Sequence, residues 1–235
     1  MLPSRNSVVL PLAVATVALS GWLCALSQAC SCAGDPHPQQ AFCGSDVAMK
    51  VQLLERTTEM MAVSHGDNES SMAQLTRYKV NVIKTFKGQE ELMRTGYIYS
   101  PAGEPSCALD IQPHKRHYIL TGRIWSGMIY VTLCNFIRPW NTLSNGQKSG
   151  FSDIYSSGCT CQISTCNQKP CEPTEARECT WTDSSTYQGA RRWGPQAKSQ
   201  ACLPALEGDG CLWSKINGSG SAEPLSKPVP QQRLQ

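Results

Sequence analysis

Thirteen cysteines constrain the fold of this 235-residue chain more than any other sequence feature. Disulfide pairing decides which segments must lie side by side, and it needs an even number of partners. An odd count therefore requires that one cysteine is removed or left unpaired. The N-terminal segment indicates which one.

Residues 1–29 have the parts of a secretory signal peptide. Arg5 supplies a positive charge, the segment from Val8 to Leu26 is almost wholly apolar, and small residues stand at positions 27 and 29, where a signal peptidase would cut. A membrane anchor is the alternative, because the apolar segment is barely long enough to span a bilayer. The cleavage site, with no basic stop-transfer cluster after it, favours a signal peptide.

Removal of the signal would delete Cys24, leaving 12 cysteines and making Cys30 the first residue. An even number behind a signal peptide indicates disulfides in a secreted, extracellular protein with no transmembrane segment. Two N-x-S/T sequons, at Asn68 and Asn217, fit a glycoprotein. A zinc module is the alternative, but the sequence has no C-x-x-C pair. Its histidines, which we expect at the surface, are scattered at His37, His65, His114 and His117.

The cysteines divide the mature chain into two predicted domains. Six are widely spaced in residues 30–159, a length sufficient to bury a core, and six are crowded into residues 160–214. A small domain with so many cysteines depends on its bridges for stability. Residues 215–235 contain little that is apolar, which predicts a disordered tail.

Alternating and β-rich segments predict a mainly β fold with short helices. The expected strands are residues 47–54, 78–84, 97–99, 117–124 and 128–133, with a hairpin turn at 125–127. Five short strands suggest a small barrel such as the OB fold. Helices are expected at residues 38–42 and at 140–155, the second capped by Asn141. Residues 55–76 are expected to form a polar loop that either serves binding or only carries a glycan.

The sequence shows no enzyme motif. It lacks H-E-x-x-H, G-x-S-x-G, a P-loop and a dinucleotide fingerprint, and complete pairing leaves no cysteine as a nucleophile. A net charge of +3 without a Lys/Arg run argues against a nucleic-acid binder. A monomeric, disulfide-linked β protein without a visible catalyst fits a binder or an inhibitor.

The new N-terminus can carry metal chemistry. An α-amine has a reference pKa of about 7.7 to 8.0, so a useful fraction is uncharged near pH 7. This amine and the carbonyl oxygen of Cys30 could together chelate a catalytic zinc, whose open position otherwise holds water. Disulfides at Cys30 and Cys32 would supply the necessary rigidity in advance. The alternative is an N-terminus that the disulfides only hold in place, with no role in metal binding.

A series of short motifs, distributed over both predicted domains, carries a family resemblance. It begins with Cys30-Ser31-Cys32 and His37-Pro38-Gln39-Gln40-Ala41-Phe42-Cys43. It continues with Phe86-Lys87-Gly88, Tyr97-Ile98-Tyr99, Leu133-Cys134-Asn135-Phe136-Ile137 and Glu178-Cys179-Thr180-Trp181-Thr182-Asp183. These motifs, and the order of all 12 mature cysteines, closely resemble the tissue inhibitors of metalloproteinases from Cys30 to about Trp213.

The resemblance implies a netrin-like OB barrel at residues 30–159 and a small disulfide-rich domain at 160–214. It also implies one cysteine pairing among the roughly ten thousand that 12 cysteines allow. The implied bridges are Cys30–Cys107, Cys32–Cys134, Cys43–Cys159, Cys161–Cys211, Cys166–Cys171 and Cys179–Cys202. The first of them would place the segment around Cys107 beside the N-terminus.

By the same resemblance, two strips form an inhibitory ridge. In the first strip, Cys30 would bind the zinc of the target protease through its amine and carbonyl, and Ser31 would enter the primary specificity pocket. The strip would extend along the primed side through Cys32, Ala33 and Gly34. The second strip would consist of Glu104, Pro105, Ser106, Cys107 and Ala108.

The function implied is stoichiometric inhibition of matrix metalloproteases, with related zinc metalloproteases as further targets and no cofactor of the protein's own. The alternative is a netrin-like extracellular binding module, for a receptor or matrix component, without protease inhibition. Cys32 and Cys43 are one residue further apart than in the family pattern, and Ala33-Gly34-Asp35 replaces a segment that usually has a proline. Because glycine loosens the backbone, we expect weaker or differently selective inhibition.

Overall fold

The computed structural model describes residues 30–32, 34–64, 70–103, 107–166, 171–183 and 194–225. From Cys32 onward the chain forms one compact unit. The signal peptide predicted for residues 1–29 lies outside the described residues. Among the residues that are described, no helix is both long and apolar enough to cross a membrane.

The first part of the chain forms a closed five-stranded β-barrel. Its strands are β1 (Val47–Ser64), β2 (Ser70–Lys87), β3 (Tyr97–Pro101), β4 (His117–Trp125) and β5 (Met128–Tyr130). They are hydrogen-bonded in the order β1-β2-β3-β5-β4, and β1 also pairs with β4, which closes the ring. Helix α1 (Pro38–Cys43) precedes β1, helix α2 (Glu90–Arg94) precedes β3, and strand β6 (Ile137–Pro139) adds to β4. The expected mainly β fold with an OB-like barrel is confirmed.

Apolar side chains at alternate positions of β1 fill the barrel. Val47, Met49, Val51 and Leu53 are each 2% exposed or less, and they pack in one buried cluster with Tyr78 of β2. Successive side chains of a strand point to opposite faces, so this period of two directs one face of β1 inward. The core therefore follows from the alternation visible in the sequence.

The loop predicted at residues 55–76 is wrong. β1 and β2 are each 18 residues long and remain paired to their tips. Much of this hairpin beyond the barrel is exposed on both faces, so it lacks the apolar alternation by which a strand is recognised. Cross-strand ion pairs, such as Glu59 with Arg77 at 3.0 Å, accompany the backbone ladder. Asn68 lies outside the described residues.

The single helix predicted at residues 140–155 is divided into four short segments. These are a 3₁₀ turn at Trp140–Thr142, helix α3 at Asn145–Ser149, a π-helical turn at Gly150–Ile154 and a 3₁₀ turn at Tyr155–Gly158. The cap of α3 is Ser144 rather than Asn141. Ser144 Oγ accepts a hydrogen bond from the Gln147 amide (3.1 Å), and Gln147 Oε1 accepts one from the Ser144 amide (3.0 Å), which forms a capping box.

Two smaller sheets follow Cys161. Strands β7 (Gln162–Thr165) and β8 (Glu178–Trp181) are parallel. Helix α4 (Pro195–Ser199) leads into a three-stranded sheet of β9 (Gln200–Pro204), β10 (Cys211–Ile216) and β11 (Ala222–Pro224).

The disordered tail predicted from residue 215 is wrong as far as Leu225. A turn beginning at Asn217 brings β11 back against β10, and the Asn217 amide donates to the Ser221 carbonyl at 2.8 Å. Ile216 is only 5% exposed, so even this polar segment contributes one buried apolar side chain. Residues 226–235 lie outside the described residues.

Five disulfides connect these elements. They are Cys32–Cys134, Cys43–Cys159, Cys161–Cys211, Cys166–Cys171 and Cys179–Cys202. Each is a pairing implied by the family resemblance, and none of the five crosses Thr160. Cys30 and Cys107 are disulfide-bonded as well, and their pairing with each other stays a prediction.

Candidate functional site

The two strips of the predicted ridge approach each other at Cys134, in the loop between β5 and β6. Cys32 of the first strip is bonded to Cys134, whose Sγ lies 3.6 Å from the Sγ of Cys107 in the second strip. The amide of Leu133 donates a hydrogen bond to the carbonyl oxygen of Cys107 (2.9 Å). One short loop therefore holds a residue of each strip.

The second strip is also anchored on the barrel. The amide of Leu109 donates to Oγ of Ser100 (2.7 Å), and the hydroxyl of the fully buried Tyr78 donates to the carbonyl of Leu109. Cys107 has a φ of 58°, a left-handed conformation that is uncommon for a residue with a Cβ. Such a conformation persists where the surroundings fix it, as these contacts do here.

The structure describes only part of the predicted ridge. The exposed members are Ser31 and Gly34. The half-buried members are Cys30, Cys32, Cys107 and Ala108. Four members lie outside the described residues: Ala33, Glu104, Pro105 and Ser106. The roles of all these residues toward a protease stay predictions.

Helix α1 begins a few residues after the first strip and fixes the chain there. His37 caps the helix, because its Nδ1 accepts a hydrogen bond from the Gln39 amide (3.2 Å). In return, Gln40 Oε1 accepts a hydrogen bond from the His37 amide (3.0 Å), and Pro38 occupies the first helical position. A reciprocal cap with proline at this position is a strong helix start, so the chain that follows the strip is fixed at a defined point.

Gln39 joins α1 to the C-terminal part of the chain. Its side-chain amide donates to the carbonyls of Gly158 (3.0 Å) and Cys202 (2.7 Å), and its Oε1 accepts from the Cys202 amide (2.8 Å). The Gln39 side chain is buried, so losing these partners would leave unsatisfied polar atoms. Phe42 and Ala201 belong to one buried cluster that continues the same contact. Residues from both parts of the chain therefore support the helix that follows the first strip.

The expectation that His37 lies at the surface is wrong. Its ring is fully buried, with ring-centroid distances of 5.4 Å to Trp181 and 5.3 Å to Trp213. Its Nε2 lies 3.3 Å from the carbonyl oxygen of Gln196, which completes the hydrogen bonding of a neutral imidazole. Burial lowers the pKa of His37 to about 4, against the opposing effects of the Gln196 carbonyl and the Asp183 carboxylate.

The buried His37 predicts a loss of stability in acid. Its pKa falls from the ordinary 6.5 to about 4 on folding, so between these values the unfolded chain binds more protons. Above pH 6.5 the imidazole is neutral in both states, so burial of His37 costs no stability through protonation. We expect the free energy of unfolding to fall by about 3 kcal/mol as the pH drops from 6.5 to 4. Urea unfolding at a series of pH values measures this slope.

Two variants separate this effect from other titrations. His37→Gln should flatten the slope between pH 6.5 and 4, whereas replacement of the exposed His117 by Gln should keep it. Protonation of Glu178 lowers the free energy of unfolding mainly at lower pH, since hydrogen bonds from Ser164 and Thr174 lower its pKa to about 2. An unchanged slope in His37→Gln would contradict the assignment.

The cysteine sulfurs of the mature chain do not offer a metal site. All 12 are disulfide-bonded, including the clustered sulfurs of Cys161, Cys202 and Cys211. Metals bind the thiolate form of cysteine, which a disulfide cannot supply. At Cys30, the first residue of the strip, the metal-binding groups that remain are the main-chain amine and carbonyl expected there.

Sequence patterns do not predict two features beside the ridge. Arg138 in β6 places its Nη2 3.6 Å from Oδ2 of Asp35, which follows the first strip. Leu133 is 57% exposed next to Cys107. No sequence pattern predicts the ion pair, because its partners are far apart in the chain. Leu133 stood in a family motif, but its exposure became apparent only in the fold.

Comparison with known proteins adds independent evidence. A family model described as "Tissue inhibitor of metalloproteinase" matches residues 28–213. "Metalloproteinase inhibitor 3" from Scyliorhinus torazame is 34% identical over 199 residues, which cover 85% of this chain and 85% of that protein. "Metalloproteinase inhibitor 4" from Mus musculus is 34% identical over 194 residues, which cover 82% of this chain and 83% of that protein. These matches extend over both parts of the fold, and the chain therefore belongs to the tissue inhibitor of metalloproteinase family.

Proposed function

We propose that this protein is secreted and inhibits zinc metalloproteases of the matrix metalloprotease type, with one inhibitor bound to one protease. Family membership supports the inhibition of metalloproteases. The observation that carries the proposed mechanism is the Cys32–Cys134 bridge, which fixes the backbone two residues from the new N-terminus. A terminus held in this way can enter an active-site cleft as a rigid wedge.

The chemistry belongs to the main chain of Cys30. Its uncharged amine donates a lone pair to the zinc of the target protease, and its carbonyl oxygen takes a neighbouring position. Together they displace the water that the protease uses for hydrolysis. Ser31, which is exposed, enters the primary specificity pocket, while Cys107 and Ala108 approach from the other side. No bond is made or broken, so the protein acts as an inhibitor rather than as an enzyme, with no cofactor of its own.

Rigidity supports tight binding in this scheme. Ordering a flexible segment costs roughly 1 to 2 kcal/mol per residue, and this cost subtracts from the binding free energy if it arises on association. Here a disulfide holds the first strip at Cys32, and the chain is fixed again just after the strip, at the buried helix cap His37. Both attachments form on folding, so their ordering cost does not arise on binding.

The proposal predicts a stoichiometric end point in a titration. Mature protein, shown by N-terminal sequencing to begin at Cys30, is added to a matrix metalloprotease at a fixed concentration far above the dissociation constant. Residual activity should fall linearly and reach its minimum at about one equivalent. Protease whose zinc is already occupied by a hydroxamate should not bind the protein, because both ligands need the same position.

The opposite result has a clear meaning. Protein that begins at Cys30 and does not inhibit any of several matrix metalloproteases would contradict the proposal. It would instead favour a netrin-like binding module for a receptor or matrix component. Binding to such a partner should then survive an extension of the N-terminus.

A further inference from the structure

Asp35 lies where the chain departs from the family pattern, and it is paired with Arg138. Oδ2 of Asp35 is 3.6 Å from Nη2 of Arg138, and the two side chains are 39% and 37% exposed. The arginine is held from two further sides. Its Nη1 donates to the carbonyl of Ile137 (2.8 Å), and its guanidinium carbon lies 5.7 Å from the centre of the Phe136 ring. A guanidinium fixed in this way loses less freedom when it pairs with a carboxylate.

The ion pair and the neighbouring disulfide link the same part of the chain. Cys32–Cys134 and Asp35–Arg138 connect the same two segments, a few residues apart on each of them. Gly34 stands between these two connections, with a φ of 113° and no heavy atom within 4 Å of the place where a Cβ would lie. An exposed glycine with open space around it allows wide backbone movement. With the disulfide alone, the backbone beyond Cys32 could therefore change its direction at Gly34.

We propose that Arg138 is a positioning residue for the first strip and that its pair with Asp35 sets the direction in which the strip leaves Cys32. The inference rests on the proposed inhibitory function, because direction matters only where the strip lies against a protease. The pair is partly exposed, so its effect is modest and depends on ionic strength. It adjusts affinity and selectivity, while the disulfide and the buried cap maintain the fold.

A charge-exchange cycle tests this role. Arg138→Glu places two carboxylates together, Asp35→Lys places two cations together, and the double variant restores opposite charges. We expect each single variant to weaken inhibition of a matrix metalloprotease about fivefold at low salt and much less at 1 M salt. The double variant should return to within about twofold of the wild type. Arg94→Glu is the matched control, since Arg94 pairs with Glu90 at 3.7 Å on α2.

Amide hydrogen exchange gives a second measurement that does not depend on inhibition. Exchange at Gly34 and Asp35 in the free protein should be faster in Arg138→Glu, unchanged in Arg94→Glu and restored in the double variant. Unchanged exchange in Arg138→Glu would overturn the positioning role, whether or not the wild type inhibits. Weaker inhibition without rescue in the double variant would overturn it too, because the effect would then come from charge alone. A wild type that does not inhibit would instead refute the proposed function.

Discussion

One alanine added before Cys30 is expected to raise the inhibition constant about a hundredfold or more. The addition converts the α-amine into an amide nitrogen, which has no basic lone pair for zinc, and it places a further residue where the metal should be. A hundredfold change corresponds to about 2.7 kcal/mol, which is within the several kcal/mol that metal coordination provides. Progress curves of a matrix metalloprotease with the native and extended proteins measure the ratio.

The control for this experiment is one alanine added after Gln235, at the opposite terminus. It should inhibit like the native protein, and both extended forms should keep the native circular dichroism spectrum. A second control carries a removable leader and should regain inhibition once cleavage exposes Cys30. Equal inhibition by the N-terminally extended and native proteins would contradict chelation by the Cys30 amine.

Removing the Cys32–Cys134 bridge should lower both stability and inhibition. The bridge joins residues 102 apart in sequence, and a loop of about this length corresponds to between 4 and 5 kcal/mol in the chain-entropy model. C32A/C134A should therefore unfold at a much lower urea concentration. Its first strip gains freedom at Cys32, and at roughly 1 to 2 kcal/mol per residue inhibition should weaken about tenfold.

The Cys166–Cys171 bridge provides the comparison, because its cysteines are only 5 residues apart. In the same chain-entropy model, C166A/C171A should lose about 2 kcal/mol of stability. It should inhibit like the native protein, since no ridge residue lies in this segment. If both double variants lost inhibition equally, the effect would reflect general destabilisation, which would contradict a specific role of the Cys32–Cys134 bridge in the ridge.

The predictions for the barrel succeeded where one face of a strand is buried. Val47 to Leu53 alternate because the barrel interior accepts every second side chain, and this period can be read without a structure. Most positions in the outer part of the β1–β2 hairpin are exposed, so no regular apolar period marks these strands and the sequence predicts a loop there. Sequence alone does not distinguish Ser144 from Asn141 as a helix cap, because both side chains offer the same chemistry three residues apart.

His37 shows the limit of sequence reasoning for a single side chain. A histidine among polar residues is expected at the surface, yet Trp181 and Trp213 enclose it from a distant part of the chain. That His37 is a buried helix cap, in contact with the C-terminal part of the chain, follows only from the fold.

The sequence by itself determined the number and order of the cysteines and the alternation of the barrel strands, and it predicts cleavage before Cys30. These features are local or countable, so they do not require knowledge of distances. Tertiary structure alone decided that Arg138 reaches Asp35, that His37 is buried and that Cys107 lies against Cys134. Each of these depends on the separation between residues remote in the chain, and folding sets that separation.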